Sequence, residues 1–245
     1  MTLWLHGQQP PCSRIGSKWG YAPQICHALG LKGCELEDVW LVEADLALAN
    51  AVAWLLRRPV DLANAVELAA LGEPRNVWHR ARDVARESFP DTVEAAAAWW
   101  LWVAGARGGI GGFKGQHKLR PNVDGFIPGR ISLIERIRSS QPIPAQILTM
   151  DARDFDPPAG AIVYIDPPYH GAQGYGPELP RGDVQRLASE WHSLGCTVGV
   201  SEREPLILTG ARHVELTDLR AGQFRRSLTR SRVEWLTILT GQSWA

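Results

Sequence analysis

The chain is 245 residues long, enough for one large domain or one domain with an insert, and enough to bury a sizeable core. Its 26 Lys+Arg balance 26 Asp+Glu, so net charge gives no general argument for a nucleic-acid partner. The cysteines Cys12, Cys26, Cys34 and Cys196 have neither zinc-like spacing nor the density of a disulfide framework, no basic-then-apolar leader opens the chain, and no apolar run is long enough to span a bilayer, which together read as a reduced, cytoplasmic protein with no membrane partner.

Residues 1–20 read as a Gly/Pro/Ser-containing loop, followed by a helix from about Tyr21 to Leu29 that stops near Gly30. Val39-Trp40-Leu41-Val42-Glu43 is a short apolar run closed by an acid and reads as a strand. Helical spacing and good helix formers follow from Leu46 to Arg57, and residues 60–105 read as mostly helical. Asp91-Thr92-Val93-Glu94 is a helix start, and Trp99, Trp100 and Trp102 behind an alanine run read as a buried helix face. From residue 105 to 128 the chain turns glycine-rich, aromatic-tipped and basic. A helix over 130–139, a strand over 146–151 that ends in an acid, and a strand over 161–165 come next. A glycine-rich loop over 170–180, a helix over 183–194 and strands over 197–201 and 233–239 complete the chain. Strands alternating with helices predict an α/β sheet packed on both faces.

Local charge is less even than the total. Lys114, Lys118, Arg120, Arg130, Arg136 and Arg138 form one basic cluster, and Arg220, Arg225, Arg226, Arg230 and Arg232 a second. Each is either a phosphate-binding surface or a solvated face.

The most informative stretch is Tyr164-Ile165-Asp166-Pro167-Pro168-Tyr169. A β-rich run delivers a carboxylate and stops at once on two prolines, which cannot donate to a strand ladder. Proline also holds the residue before it extended. Asp166 is therefore expected at the carboxyl end of a strand, where open α/β sheets bind their ligands. Its carboxylate and a backbone carbonyl can accept from one exocyclic amino group, and Tyr169 offers a face for stacking, a combination suited to a flipped-out base. The bland alternative is a strand-ending turn, which is how Asp156-Pro157-Pro158 reads. Glu43 and Asp151 also close strands, where an acid can hold a ribose or an adenine amino group, or merely cap a helix.

These motifs resemble those of the Dam-like, alpha-group DNA N6-adenine methyltransferases. Gly16-Ser17-Lys18-Trp19 resembles the family's cofactor-contacting Gly-x-Lys segment, Glu43 with nearby Asp45 its ribose-holding acid, and Asp151 the acid that contacts the cofactor's adenine. Asp166-Pro167-Pro168-Tyr169 matches the catalytic motif residue for residue, and Ser201 resembles the family's strand-end serine. The resemblance implies a Rossmann-like methyltransferase sheet with helices on both faces, formed by residues 1–59 and 129–245, and a small helical insert over 60–128 that reads the target. It implies S-adenosylmethionine as cofactor, double-stranded DNA as partner, no metal, and phosphate contacts from Lys114, Lys118, Arg120, Arg225 and Arg226. The family's Phe-x-Gly-x-Gly loop has no counterpart before Glu43. Two alternatives follow: a methyltransferase-like DNA-binding protein that has lost its cofactor, and a modifier of RNA or of another base.

Overall fold

The structure is a computed structural model and describes residues 21–31, 39–86, 91–106, 126–143, 145–168, 178–216 and 234–241. The described residues form a mixed α/β fold that divides into two compact units. One holds β1 (Val39–Glu43), the helices α2 (Leu46–Arg57), α3 (Pro59–Ala69), α4 (Pro74–Arg86), α5 (Val93–Gly105) and α6 (Phe126–Arg138), and β2 (Ala145–Thr149). The other holds α1 (Ala22–Ala28), β3 (Ile162–Ile165), α7 (Arg181–Ser193), β4 (Thr197–Glu202), β5 (Arg212–Leu216) and β6 (Glu234–Leu239).

Local chemistry sets the helix boundaries of the first unit. Asp45 accepts from the backbone N–H groups of Ala47 and Leu48 and so caps α2. Pro59 drives Arg58 out of helical geometry, which ends α2, and then sits in the first turn of α3, where its missing N–H costs nothing. Glu73 accepts from Asn76 N at the start of α4, and Thr92 accepts from Ala95 N to cap α5, where the sequence predicts a helix start.

The alanine–tryptophan run of α5 is buried on every side rather than on one face, from Ala95 through Val103. Trp99 and Trp100 meet edge to face with ring centroids 5.0 Å apart. Two indoles also find backbone acceptors in this core: Trp78 Nε1 donates to the Trp102 carbonyl and Trp100 Nε1 to that of Ala51, each at 3.0 Å. Leu55, Leu56, Leu62 and Leu133 complete the same core, each worth about 1.5–3 kcal/mol on burial. α3, α4 and α5 share this core with α2 and α6. β1 and β2 pair in parallel, with Glu43 opposite Thr149.

The second unit is a four-stranded sheet of order β3-β4-β6-β5. β3 and β4 run parallel, joined through α7, and β6 is antiparallel to both β4 and β5. Leu29, at the end of α1, packs over Gly199 so closely that a Cβ there would lie 2.6 Å from it. Arg212 of β5 donates to the Ala28 carbonyl and ties α1 to the same sheet face. On the other face, Leu206 N donates to Thr237 Oγ1 at 2.9 Å, and Arg181 of α7 donates to the neighbouring Pro205 carbonyl at 2.8 Å. Gly30 takes φ +74°, the left-handed geometry that ends α1. β5 is an edge strand that the sequence reading leaves unassigned. Among the described residues no helix is long and apolar enough to cross a membrane.

Candidate functional site

β3 ends at Ile165, and Asp166 follows at once. Alternation along the strand puts Tyr164 and Asp166 on one face. The parallel register sets Tyr164 opposite Gly199 and Ile165 opposite Val200, so Ser201 comes level with Asp166 at the carboxyl ends of two adjacent strands. The Tyr164 hydroxyl donates to Ser201 Oγ at 2.8 Å, and Ser201 Oγ donates to Asp166 Oδ1 at 3.2 Å. Ser201 is fully buried, whereas Asp166 is exposed. Pro167 is buried behind it and Pro168 half-buried. Burial, and after it the negative charge of Asp166, holds the Tyr164 phenol pKa well above its ordinary value of 10.0. Tyr169 lies outside the described residues.

In the first unit, Glu43 ends β1 and Asp151 follows two residues after Thr149, the last residue of β2. Because Glu43 pairs with Thr149, both acids come to the carboxyl edge of the same parallel pair. Both are half-buried. Glu43 Oε1 accepts from Asp45 N at 2.9 Å. Asp45 Oδ1 accepts from Ala47 N at 3.0 Å and Leu48 N at 3.2 Å, so this carboxylate serves as a helix cap. The link from β1 to α2 is only Ala44-Asp45, a turn without glycine in which the backbone carries side chains throughout.

Of the other expected site residues, Gly16, Ser17, Lys18, Trp19, Lys114, Lys118, Arg120, Arg225 and Arg226 lie outside the described residues. Within the first basic cluster, Arg130 donates to the Ala70 carbonyl at 2.5 Å, and Arg138 reaches Glu67 at 2.7 Å and Asn64 at 3.3 Å. These two arginines bind α6 to α3 and its C-cap. No group of three or more His, Cys, Asp or Glu among the described residues is arranged to hold a metal ion.

The contact that residue-by-residue reading missed is the one through Tyr164. Its signal was present: a tyrosine two positions before the acid shares its face, and a serine stands one residue before the end of the neighbouring parallel strand. Compared with known proteins, the chain matches no protein-family model and no curated protein.

Proposed function

We propose that the protein transfers a methyl group from S-adenosylmethionine to the exocyclic amino group of adenine in double-stranded DNA. The observation that carries this reading is the exposed Asp166 carboxylate, set at the carboxyl end of β3 beside β4, followed by two prolines and braced by Ser201. Such an edge is where α/β sheets present ligand-binding groups. In this reading the target base leaves the duplex at a cost of a few kcal/mol in stacking and pairing. Asp166 and the Pro167 carbonyl accept from its amino group, and Tyr169 stacks on the ring. The nitrogen lone pair is thereby turned outward and made available for attack. Positioning and fixed dipoles supply the acceleration, with no covalent intermediate on the protein.

Glu43 and Asp151 suit the cofactor's polar groups, as two carboxylates at one edge of the β1–β2 pair. Glu43 would accept from the ribose hydroxyls and Asp151 from the adenine amino group. When bound, the cofactor supplies an electrophilic sulfonium methyl. Asp45 contributes through the helix it caps. Within the second unit, the β3–α7–β4 crossover with Asp166 at its carboxyl edge supports a Rossmann-like element as the finer fold.

One observation favours a second reading, a methyltransferase-like DNA-binding protein that has lost its cofactor. The family's glycine loop has no counterpart in the sequence before Glu43, and the two-residue β1–α2 turn after it carries no glycine either to let the backbone approach a bound methionine moiety. Calorimetric titration with S-adenosylmethionine separates the two: heat on binding supports the enzyme, and silence supports the binding protein. Mass spectrometry of nucleosides from DNA and RNA of cells making the protein then identifies the modified base. Unmodified adenine in DNA, with cofactor bound, would refute the adenine assignment.

A further inference from the structure

An exposed aspartate on two rotatable bonds ordinarily samples several rotamers. Asp166 has a partner that does not move with it: Ser201 is fully buried in β4, with its Oγ 3.2 Å from Asp166 Oδ1. An ionised carboxylate only accepts hydrogen bonds, so the hydrogen between them is the serine's own. Ser201 has no second hydrogen. The 2.8 Å bond between the two hydroxyls therefore uses the phenolic hydrogen of Tyr164. The three groups form a one-way chain from Tyr164 to Ser201 to Asp166. The raised Tyr164 pKa, due to burial and then to the Asp166 charge, keeps that phenol protonated and the direction of the chain fixed.

We propose that Tyr164 and Ser201 are positioning residues, a hydroxyl pair that holds the Asp166 carboxylate in the one orientation that receives the target amino group. The proposal rests on the methyl-transfer reading for what Asp166 receives. The bonds themselves do not depend on that reading. The parallel register alone brings Ser201 to Asp166, and strand alternation brings Tyr164 to the same face. Neither hydroxyl touches substrate, so each acts on rate through the aspartate and leaves DNA binding almost unchanged.

The test uses the full chain with unmethylated genomic duplex DNA and S-adenosylmethionine. Ser201→Ala should lower kcat about 10- to 100-fold, the loss of a hydrogen bond to a charged group, with KM for DNA within about 2-fold of wild type. Ser201→Thr keeps the hydroxyl and should recover most of the rate. Tyr164→Phe should cost about 3- to 10-fold, and the double variant should be little slower than Ser201→Ala, because the phenol's hydrogen bond reaches Asp166 through the serine. Wild-type kcat in Ser201→Ala, failure of the threonine rescue, or additive losses in the double variant would each overturn the proposal.

A second measurement is independent of activity. Spectrophotometric titration of the four tyrosines, with Tyr164→Phe identifying the one in question, should show the Tyr164 midpoint fall in Asp166→Asn as the neighbouring charge is removed. An unmoved midpoint overturns the chain of bonds whatever the enzyme does. A midpoint that falls in a protein transferring no methyl group overturns the methyl-transfer reading and this positioning role with it, leaving the bonds as a structural brace.

Discussion

Asp45 is a structural carboxylate two residues from Glu43, the acid proposed to hold the cofactor's ribose, and the geometry gives a magnitude. Its Oδ1 accepts from Ala47 N and Leu48 N, two of the four N–H groups that α2 cannot satisfy by itself. Removing an aspartate cap costs about 1 kcal/mol, within a range of roughly 0.5–2. α2 packs on β1, β2 and α5, so fraying at its first turn reaches the shared core, and the upper half of that range applies. Asp45→Ala is therefore expected to destabilise by about 1–2 kcal/mol in urea titration, or to lower Tm by about 2–8 °C. Asp45→Asn and Asp45→Ser keep an acceptor and should stay within about 0.5 kcal/mol of wild type. Calorimetry on the same proteins should find S-adenosylmethionine affinity unchanged in Asp45→Asn. Glu43→Gln, which alters the acid at the strand end, should weaken binding about 10-fold. Equal destabilisation by alanine and asparagine, or a loss of cofactor binding confined to Asp45→Asn, would refute the assignment of Asp45 as a cap.

Asp166→Asn should lower methyl transfer by at least about 1000-fold while leaving Tm unchanged, because the side chain is exposed; activity assays paired with thermal melts check both halves. Trp78→Phe removes one of two hydrogen bonds to the Trp102 carbonyl, which keeps the one from Ala106 N, and leaves unfilled volume, so chemical denaturation should show a loss of about 1–3 kcal/mol. Gly241→Ala should destabilise strongly, since its Cβ would overlap the Gly195 carbonyl oxygen, a backbone atom that cannot swing aside. The raised Tyr164 pKa means that the folded state holds this proton more tightly than the unfolded chain. Its stabilisation is complete below pH 10.0, the ordinary tyrosine value, and is lost as pH climbs from there through the higher folded value. Urea titrations at rising alkaline pH should show that loss, and Tyr164→Phe should flatten it.

The elements carried by strong local signals were legible in the sequence. Apolar runs gave β1, β3, β4 and β6 within about a residue or two of their ends, and the Thr92 cap and Gly30 stop marked helix boundaries. β5 was not legible, because Arg212-His213-Val214-Glu215-Leu216 is a mostly exposed edge strand whose charged side chains mask its alternation. The run ending at Asp151 read as one strand, but β2 stops at Thr149 and leads through a bend into a short 3-10 turn at Ala152–Asp154. At the site, the position of Asp166 followed from the prolines after it. Ser201 was legible only as a serine near a strand end; its bond to Asp166 depends on a parallel register that no local pattern encodes. The basic cluster around Arg130 and Arg138 shows the opposite limit. Composition could not distinguish arginines that pin one helix to another from arginines open to phosphate.

Arg212 and the Ala28 carbonyl it holds are 184 positions apart. The sheet lining that α1 provides is thus translated long before the strands it lines, and the helical core with β1 and β2 emerges from the ribosome in between. Closing so long a loop costs little more entropy than closing one half its length, because the cost grows only with the logarithm. What it imposes is an order of events. An early-made helix must wait, its apolar side unsheltered, until the last strands exist to take it in, and only then does the face bearing Asp166 gain its cover.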